Sequence, residues 1–362
     1  MSEARSNRRM IAAASMVAAG ALLLAACSSP TVHKKKAIPT TTTTKPAVVC
    51  PLTGSPAPGG VVPPRTALAV KVDNYSAARP QSGLDKTDII FEEPVEGGIT
   101  RFVAVFQCQD AASIGPVRSA RQIDIGILGQ LGNPPLSHVG GIGPVLDNIN
   151  ASGIPNLDLG NYAQALTHPA GRYAPYDTYT STAALYALVP KLTTPPSPIY
   201  TYSKSAPSAA VPVSSIHVPF SSQADITWNW SSTTNAWMRF YDGTQPDMGA
   251  DGVQNQAANV IVQTIQVTYG PWAENDQGGL EVMTTLSGTS GPAMIFRNGS
   301  QINGTWSRAS NSSPTIYKDA AGNVISMNPG RTWVELLPST ATAISTLAPT
   351  TTTAPTPTTA KG

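Results

Sequence analysis

Histidine and cysteine are scarce in this chain, with four His and three Cys among 362 residues. His33, His138, His168 and His217 show neither metal-ligand spacing nor a neighbouring Cys, which argues against a zinc-type site. After residue 26 no stretch is long and apolar enough to span a bilayer. Ser119 lacks the Gly-x-Ser-x-Gly surroundings of a nucleophile elbow, so a Ser-His-Asp hydrolase is not supported. Phosphate-loop and dinucleotide glycine patterns are missing too. Gly140-Gly141-Ile142-Gly143-Pro144 has no Lys-Ser/Thr pair and reads as a turn. No cofactor is implied, and no internal repeat is evident.

What is present begins with a targeting segment. Arg5, Arg8 and Arg9 precede an apolar, Ala-rich run from Met10 to Ala26, the pattern of a secretory signal peptide over residues 1–26. Its end, Leu24-Ala25-Ala26-Cys27, resembles the bacterial lipobox, so Cys27 is the expected lipidation site and mature N-terminus. The membrane is then a partner through that lipid, and the body is expected on the outer face of the cytoplasmic membrane. Residues 27–48 and 339–362 collapse to Thr, Pro, Ala and Ser, cannot bury a core, and are expected to be disordered. A Thr/Pro-rich tether of this kind is extended and stiff.

Removing residues 1–26 takes three of 23 basic and one of 21 acidic residues, leaving 20 of each. Lys34, Lys35, Lys36, Lys45 and Lys361 lie in the tails, so the body holds 15 basic and 20 acidic residues. A mildly acidic body argues against nucleic acid as a partner. Cys50 and Cys108 remain as an even pair in an oxidising compartment, and a disulfide between them is expected.

The body is expected to be α+β, with a mixed α/β domain over 49–198 and an antiparallel β-rich domain over 199–338. In the first, Ala67–Val72 reads as a buried strand delivering Asp73 and Asn74, and Thr87–Pro94 and Ile99–Cys108 as a hairpin around Glu96-Gly97-Gly98. Gly115-Pro116 is expected to open a helix through Leu131, with Arg118 and Arg121 one turn apart, and a second helix to follow Thr180-Ser181. After the Pro-rich break at 191–198, short alternating runs are punctuated by Asp242-Gly243, Asn298-Gly299 and Asn303-Gly304.

Several segments together resemble the YerB-like family of bacterial lipoproteins. They are Pro51-Leu52-Thr53-Gly54, Ala69–Asn74, Ala78–Leu84, Val95–Phe102, Ile114–Arg121, His138–Gly141, Thr178–Ser181 and, later, Gly304–Arg308 and Gly330–Trp333. The resemblance covers nearly all of the body in order. It implies an N-terminal and a C-terminal domain and an envelope location, but no chemistry, because neither domain has an assigned function. One departure is Pro175-Tyr176-Asp177, where the family often reads Pro-His-Asn.

Anion binding is the chemistry the residues point to. Arg118 and Arg121 near a helix entrance, with Arg79, Arg101, Arg172 and Asn74, are the candidate ligand-binding set, since Arg forks suit phosphate or carboxylate. Asp73, Glu92, Glu96 and His138 are the acid–base candidates. Two readings follow. One is a tethered binding or accessory protein for a wall polymer, a phosphorylated precursor or an envelope partner. The other is an envelope transferase or hydrolase with a Glu base.

Overall fold

The computed structural model describes residues 47–349, apart from 206, 208 and 275–277. The expected signal peptide and lipidation site, residues 1–26 and Cys27, and most of both Thr/Pro segments lie outside the described residues.

In the first half the elements are β1 (Leu68–Asp73), β2 (Ile89–Pro94), β3 (Thr100–Phe106), α1 (Ile123–Gly129), β4 (Leu136–His138), α2 (Gly143–Ala151), β5 (Asn156–Asp158) and α3 (Thr182–Leu188). Then come β6 (Val211–Ser221), β7 (Ala224–Ser231), β8 (Ala236–Tyr241), β9 (Gln245–Pro246), β10 (Gln256–Ala257), β11 (Asn259–Ile265), β12 (Thr268–Ala273) and β13 (Leu280–Met283). The last five are β14 (Thr289–Arg297), β15 (Ser300–Arg308), β16 (Ile316–Asp319), β17 (Thr332–Pro338) and β18 (Ile344–Leu347).

One sheet runs through both halves in the order β10-β8-β7-β6-β15-β14-β11-β17-β2-β3-β1-β4-β5. The join is β17, which pairs parallel with β11 on one side and with β2 on the other. Burial on both faces explains its sequence, because Thr332-Trp-Val-Glu-Leu-Leu337 is buried throughout and reads as a continuous run rather than an alternation. The chain is thus mostly sheet with three α-helices among the described residues, and the second half is antiparallel except at β17.

Strand periodicity sorts the core into two layers. Ala69, Phe91, Val103 and Val105 face one layer with Ile123 and Ile127 of α1 and Val145 and Ile149 of α2. Val70, Val72, Ile90, Phe102 and Ala104 face the other, with Trp228, Trp237 and Trp333. Phe102 and Trp228 meet the Trp333 ring edge-on at 5.2 and 5.1 Å. Cys50 and Cys108 are joined as a disulfide that closes the start of the body onto the end of β3.

Four local expectations need correction. No helix starts at Pro116: Asp73 N–H donates to the Pro116 carbonyl, Val117 N–H to Thr178 and Arg118 N–H to Lys71, so this segment lies extended against β1 and the helix waits until Ile123. Gly143-Pro144 opens α2 instead, with Pro in the first turn where its missing N–H costs no bond. Asn303-Gly304 is not a turn but lies inside β15, where the Gly304 position is pressed against the Lys318 carbonyl of β16 and leaves no room for a side chain. The tail is not disordered from its first residue. β15 pairs only with Val211 and Pro212 of β6, so the backbone further along β6 is open, and β18 fills it from His217 to Val213.

Candidate functional site

Three neighbouring strands end in charge. On the face that elsewhere carries Ala69, Phe91 and Val103, the same alternation brings up Lys71 and Asp73 from β1, Glu93 from β2 and Arg101 from β3. Arg101, on the central strand, stands directly across from Asp73 on one side and Glu93 on the other. The antiparallel β2–β3 hairpin then turns at Glu96-Gly97-Gly98, and both glycines adopt positive φ, a conformation that costs glycine little.

Above this row lies a cleft of about 520 Å³. Asp73, Tyr75, Glu96, Arg101, Arg118, Ser119, Arg121, Tyr176 and Glu274 line it, with Gln223 from the β6–β7 turn at its edge. Arg118 reaches it because its backbone is tied to Lys71, and its Nε donates to Asp73 Oδ2 at 2.9 Å. The Arg118 side chain is 26% exposed, whereas Asp73 is buried. Tyr176 flanks Arg118, with the guanidinium 5.9 Å from the ring centre, and lies nearly parallel to Tyr75 at 6.3 Å.

Arg121 is buried among carboxylates. Its Nε donates to Glu96 Oε2 at 2.9 Å, its Nη2 also bonds Glu96, and Nη1 lies 3.2 Å from Glu274. Glu281 Oε2 lies 3.6 Å from Nε. Glu274 and Glu281 arrive from the β12–β13 ribbon, which pairs with no other strand among the described residues. Glu281 also accepts from Gln122 N–H at 2.6 Å. Burial, then a hydrogen bond with Glu274, pushes the Glu281 carboxyl up to about 9, so at neutral pH it is protonated and its contact with Arg121 is not an ion pair. Glu96 goes the other way: burial raises it, but the Arg121 hydrogen bond and the charges of Arg101 and Arg121 together hold it below the usual carboxylate range.

Below the cleft, Lys71 bonds Glu93 and Asp124, the latter at 2.8 Å, and Asp124 accepts from Arg121 N–H at 2.7 Å. Burial and the Asp124 charge raise Glu93 to about 8. Of the three arginines that line the cleft, Arg101 is the most loosely held. It is 3% exposed, donates to Ser119 O and Glu96 Oε1 only at 3.5 Å, and its Nε has no acceptor. Burial and the neighbouring Arg121 push its guanidinium below its ordinary value.

Of the sequence candidates, Asp73, Glu96, Arg101, Arg118 and Arg121 converge here. Five others do not line the cleft. Glu92 points to the opposite face, where it is fully buried and held by Arg239 at 2.7 Å, Thr100 and Asn74. Asn74 completes that cluster through Tyr241 and Gln81. Arg79 lies 3.3 Å over the Tyr241 ring, and Arg172 donates to the carbonyls of Ala78, Arg79 and Pro80. His138 is buried, with its ring nitrogens on Gly140 O and Asn156 Oδ1.

Glu92 and Glu93 exchange roles because one residue along a strand changes the face, and the sequence alone does not say which face meets the cleft. Lys71 carried a signal, being one cation inside an apolar strand, where burial demands a partner. Glu274 and Glu281 gave none, since their approach to Arg121 depends on a fold-back of 153 and 160 residues. No group of three or more potential metal ligands occurs among the described residues.

Two family models match the chain: "Protein of unknown function (DUF3048) N-terminal domain" over residues 52–194, and its C-terminal counterpart over 216–334. The chain is 29% identical over 300 residues to the Bacillus subtilis (strain 168) protein "Putative lipoprotein YerB", covering 80% of this chain and 86% of that one. The crystal structure of YerB from Bacillus subtilis shares the fold, with a TM-score of 0.70 at 22% identity over 82% of this chain and 99% of that one. The chain belongs to this two-domain family of unknown function, the YerB-like proteins.

Proposed function

We propose that the protein is a lipid-anchored extracytoplasmic protein whose cleft binds the anionic part of an envelope ligand, such as a wall polymer, a phosphorylated precursor or an acidic partner surface. Arg101 carries this reading. A guanidinium that is 3% exposed, lines an open cleft, and has an Nε with no acceptor lacks a close hydrogen-bond acceptor. An incoming phosphate or carboxylate would supply it, with Arg118 as the more exposed second cation. The lipid anchor rests on Leu24-Ala25-Ala26-Cys27 and on the name of the Bacillus relative.

Binding is favoured over catalysis because both sequence base candidates that line the cleft are held by arginines. Glu96 is kept ionised by Arg121, and Asp73 is engaged by Arg118. Glu92 and His138 are built into the interior elsewhere.

Titrating purified protein with inorganic phosphate and with citrate tests the reading. Saturable binding of one of them, weakened at least about tenfold in a folded Arg101→Gln variant, is expected. No binding of either anion, or equal affinity in the variant, would refute it. Acyl labelling of cells producing wild type or Cys27→Ala tests the anchor, and equal labelling of both would remove it.

A further inference from the structure

The Glu96–Gly98 turn has a cavity on each side. Beyond the charged cleft lies a groove of about 540 Å³, and Glu96, Gly97 and Ile99 line both. The groove's chemistry is opposite to the cleft's. Its walls include Ile99, Phe220, Val267, Tyr269, Leu280 and Pro338, and Glu96, whose carboxylate is turned to Arg121, is its one charged residue among the described ones. Tyr269 and Leu280 are 69% and 42% exposed, so large apolar side chains stand open to solvent along this wall.

The ridge between the two cavities is low and fixed. Gly97 and Gly98 carry no side chains, and a methyl group built on Gly97 would meet nothing within 4 Å. Their carbonyls accept hydrogen bonds from Gln223 Nε2 at 3.0 Å and from Ser221 Oγ. A chain crossing at Gly97 meets backbone on the ridge itself, beside the Gln223 side chain.

We propose that cleft and groove form one site for a single amphiphilic anion, a lipid phosphate whose head meets Arg101 and Arg118 and whose hydrocarbon chain crosses Gly97 into the groove. This rests on the anion-binding reading above and narrows it to a ligand class. The charge of the cleft and the apolar groove sharing its wall match the two ends of such a molecule, and a free sugar phosphate or a polyanionic polymer would leave the groove unused.

The test compares inorganic phosphate, octyl phosphate below its micelle concentration, and octyl glucoside, which has the same chain and no charge. Octyl phosphate is expected to bind at least about fiftyfold more tightly than phosphate, the gain from burying some three methylenes, with octyl glucoside much weaker. Leu280→Asp and Tyr269→Asp, both at exposed positions, are expected to abolish the gain while phosphate affinity holds. Phosphate binding with no gain from the chain would overturn the lipid site and leave the anion reading standing. Octyl glucoside binding as well as octyl phosphate, or a gain surviving in both folded variants, would also overturn the lipid site. Absence of binding by either phosphate would overturn both.

Discussion

Arg118 and Asp73 set how the site responds to mutation. Arg118→Lys keeps the charge beside Asp73, which is 2% exposed, but loses the planar fork. Thermal stability is expected to change little, while phosphate affinity falls by about 1–3 kcal/mol, the range for a charge-assisted bond. Paired melting and titration curves on one variant check both. A loss of stability with unchanged affinity would make Arg118 a structural partner of Asp73 only.

Glu281 predicts a pH dependence of a definite sign. Its carboxyl is at about 9 in the fold against a reference of 4.5, so between those values the folded chain holds a proton that the unfolded chain releases. Its contribution to stability is therefore fully present below about 4.5 and is lost as pH rises toward 9. Glu281→Gln keeps a donor for Glu274 and an acceptor for Gln122 N–H without the proton. Urea midpoints from pH 5 to 9 should fall in wild type relative to this variant, and parallel profiles would contradict the protonated state of Glu281.

At the scale of elements, the β12–β13 ribbon depends on this same cluster. A lone two-stranded ribbon is marginal in water, and Glu274 and Glu281 fasten it to Arg121 and Gln122. Arg121→Met leaves buried carboxylates unpaired and should release the ribbon. Amides of 268–273 and 280–283 should then exchange faster, while those of β11 and β17 keep their protection. Unchanged exchange in the ribbon would show that its apolar contacts suffice.

The elements also show where local pattern and tertiary contact part. The β2–β3 hairpin, the β7–β8 hairpin and the helix capped by Ser181, which accepts from Ala184 N–H, follow from alternation, turn glycines and a capping residue within a few positions. The segment after Pro116 has helical spacing as well. Its backbone groups are instead taken by Lys71, Asp73 and Thr178, partners 47, 43 and 61 residues away. Hydrogen bonds to distant strands override spacing when they satisfy the same donors and acceptors.

At the scale of the molecule, β17 makes the two halves one sheet. Trp333 is fully buried in it and touches Phe102 from the first half and Trp228 from the second. Unfolding is therefore expected to be one cooperative transition by far-UV and near-UV signals alike. Trp333→Ala should lower stability by about 3–5 kcal/mol and shift both signals together. Two separated transitions in wild type would mean that the halves are thermodynamically independent. The Cys50–Cys108 link closes a separation of 58 residues, and its removal by Cys50→Ser with Cys108→Ser should cost about 4 kcal/mol in the chain-entropy model. An unchanged unfolding midpoint in the double variant would remove that contribution.

What the sequence determined by itself was local or compositional. The family, the pairing of the two body cysteines, most strands, and five of the cleft residues follow from spacings of a few positions, from counts, or from segments matched in order. The tertiary structure decided which face of each strand met the cleft, and so chose Glu93 over Glu92. It brought Glu274 and Glu281 across from the other half, seated Tyr176 beside Arg118, and placed an apolar groove against a charged cleft. The physical reason is the same in each case. A charged group's role depends on what shares its burial, and in a sheet built from both ends of a chain those neighbours come from positions that local sequence does not connect.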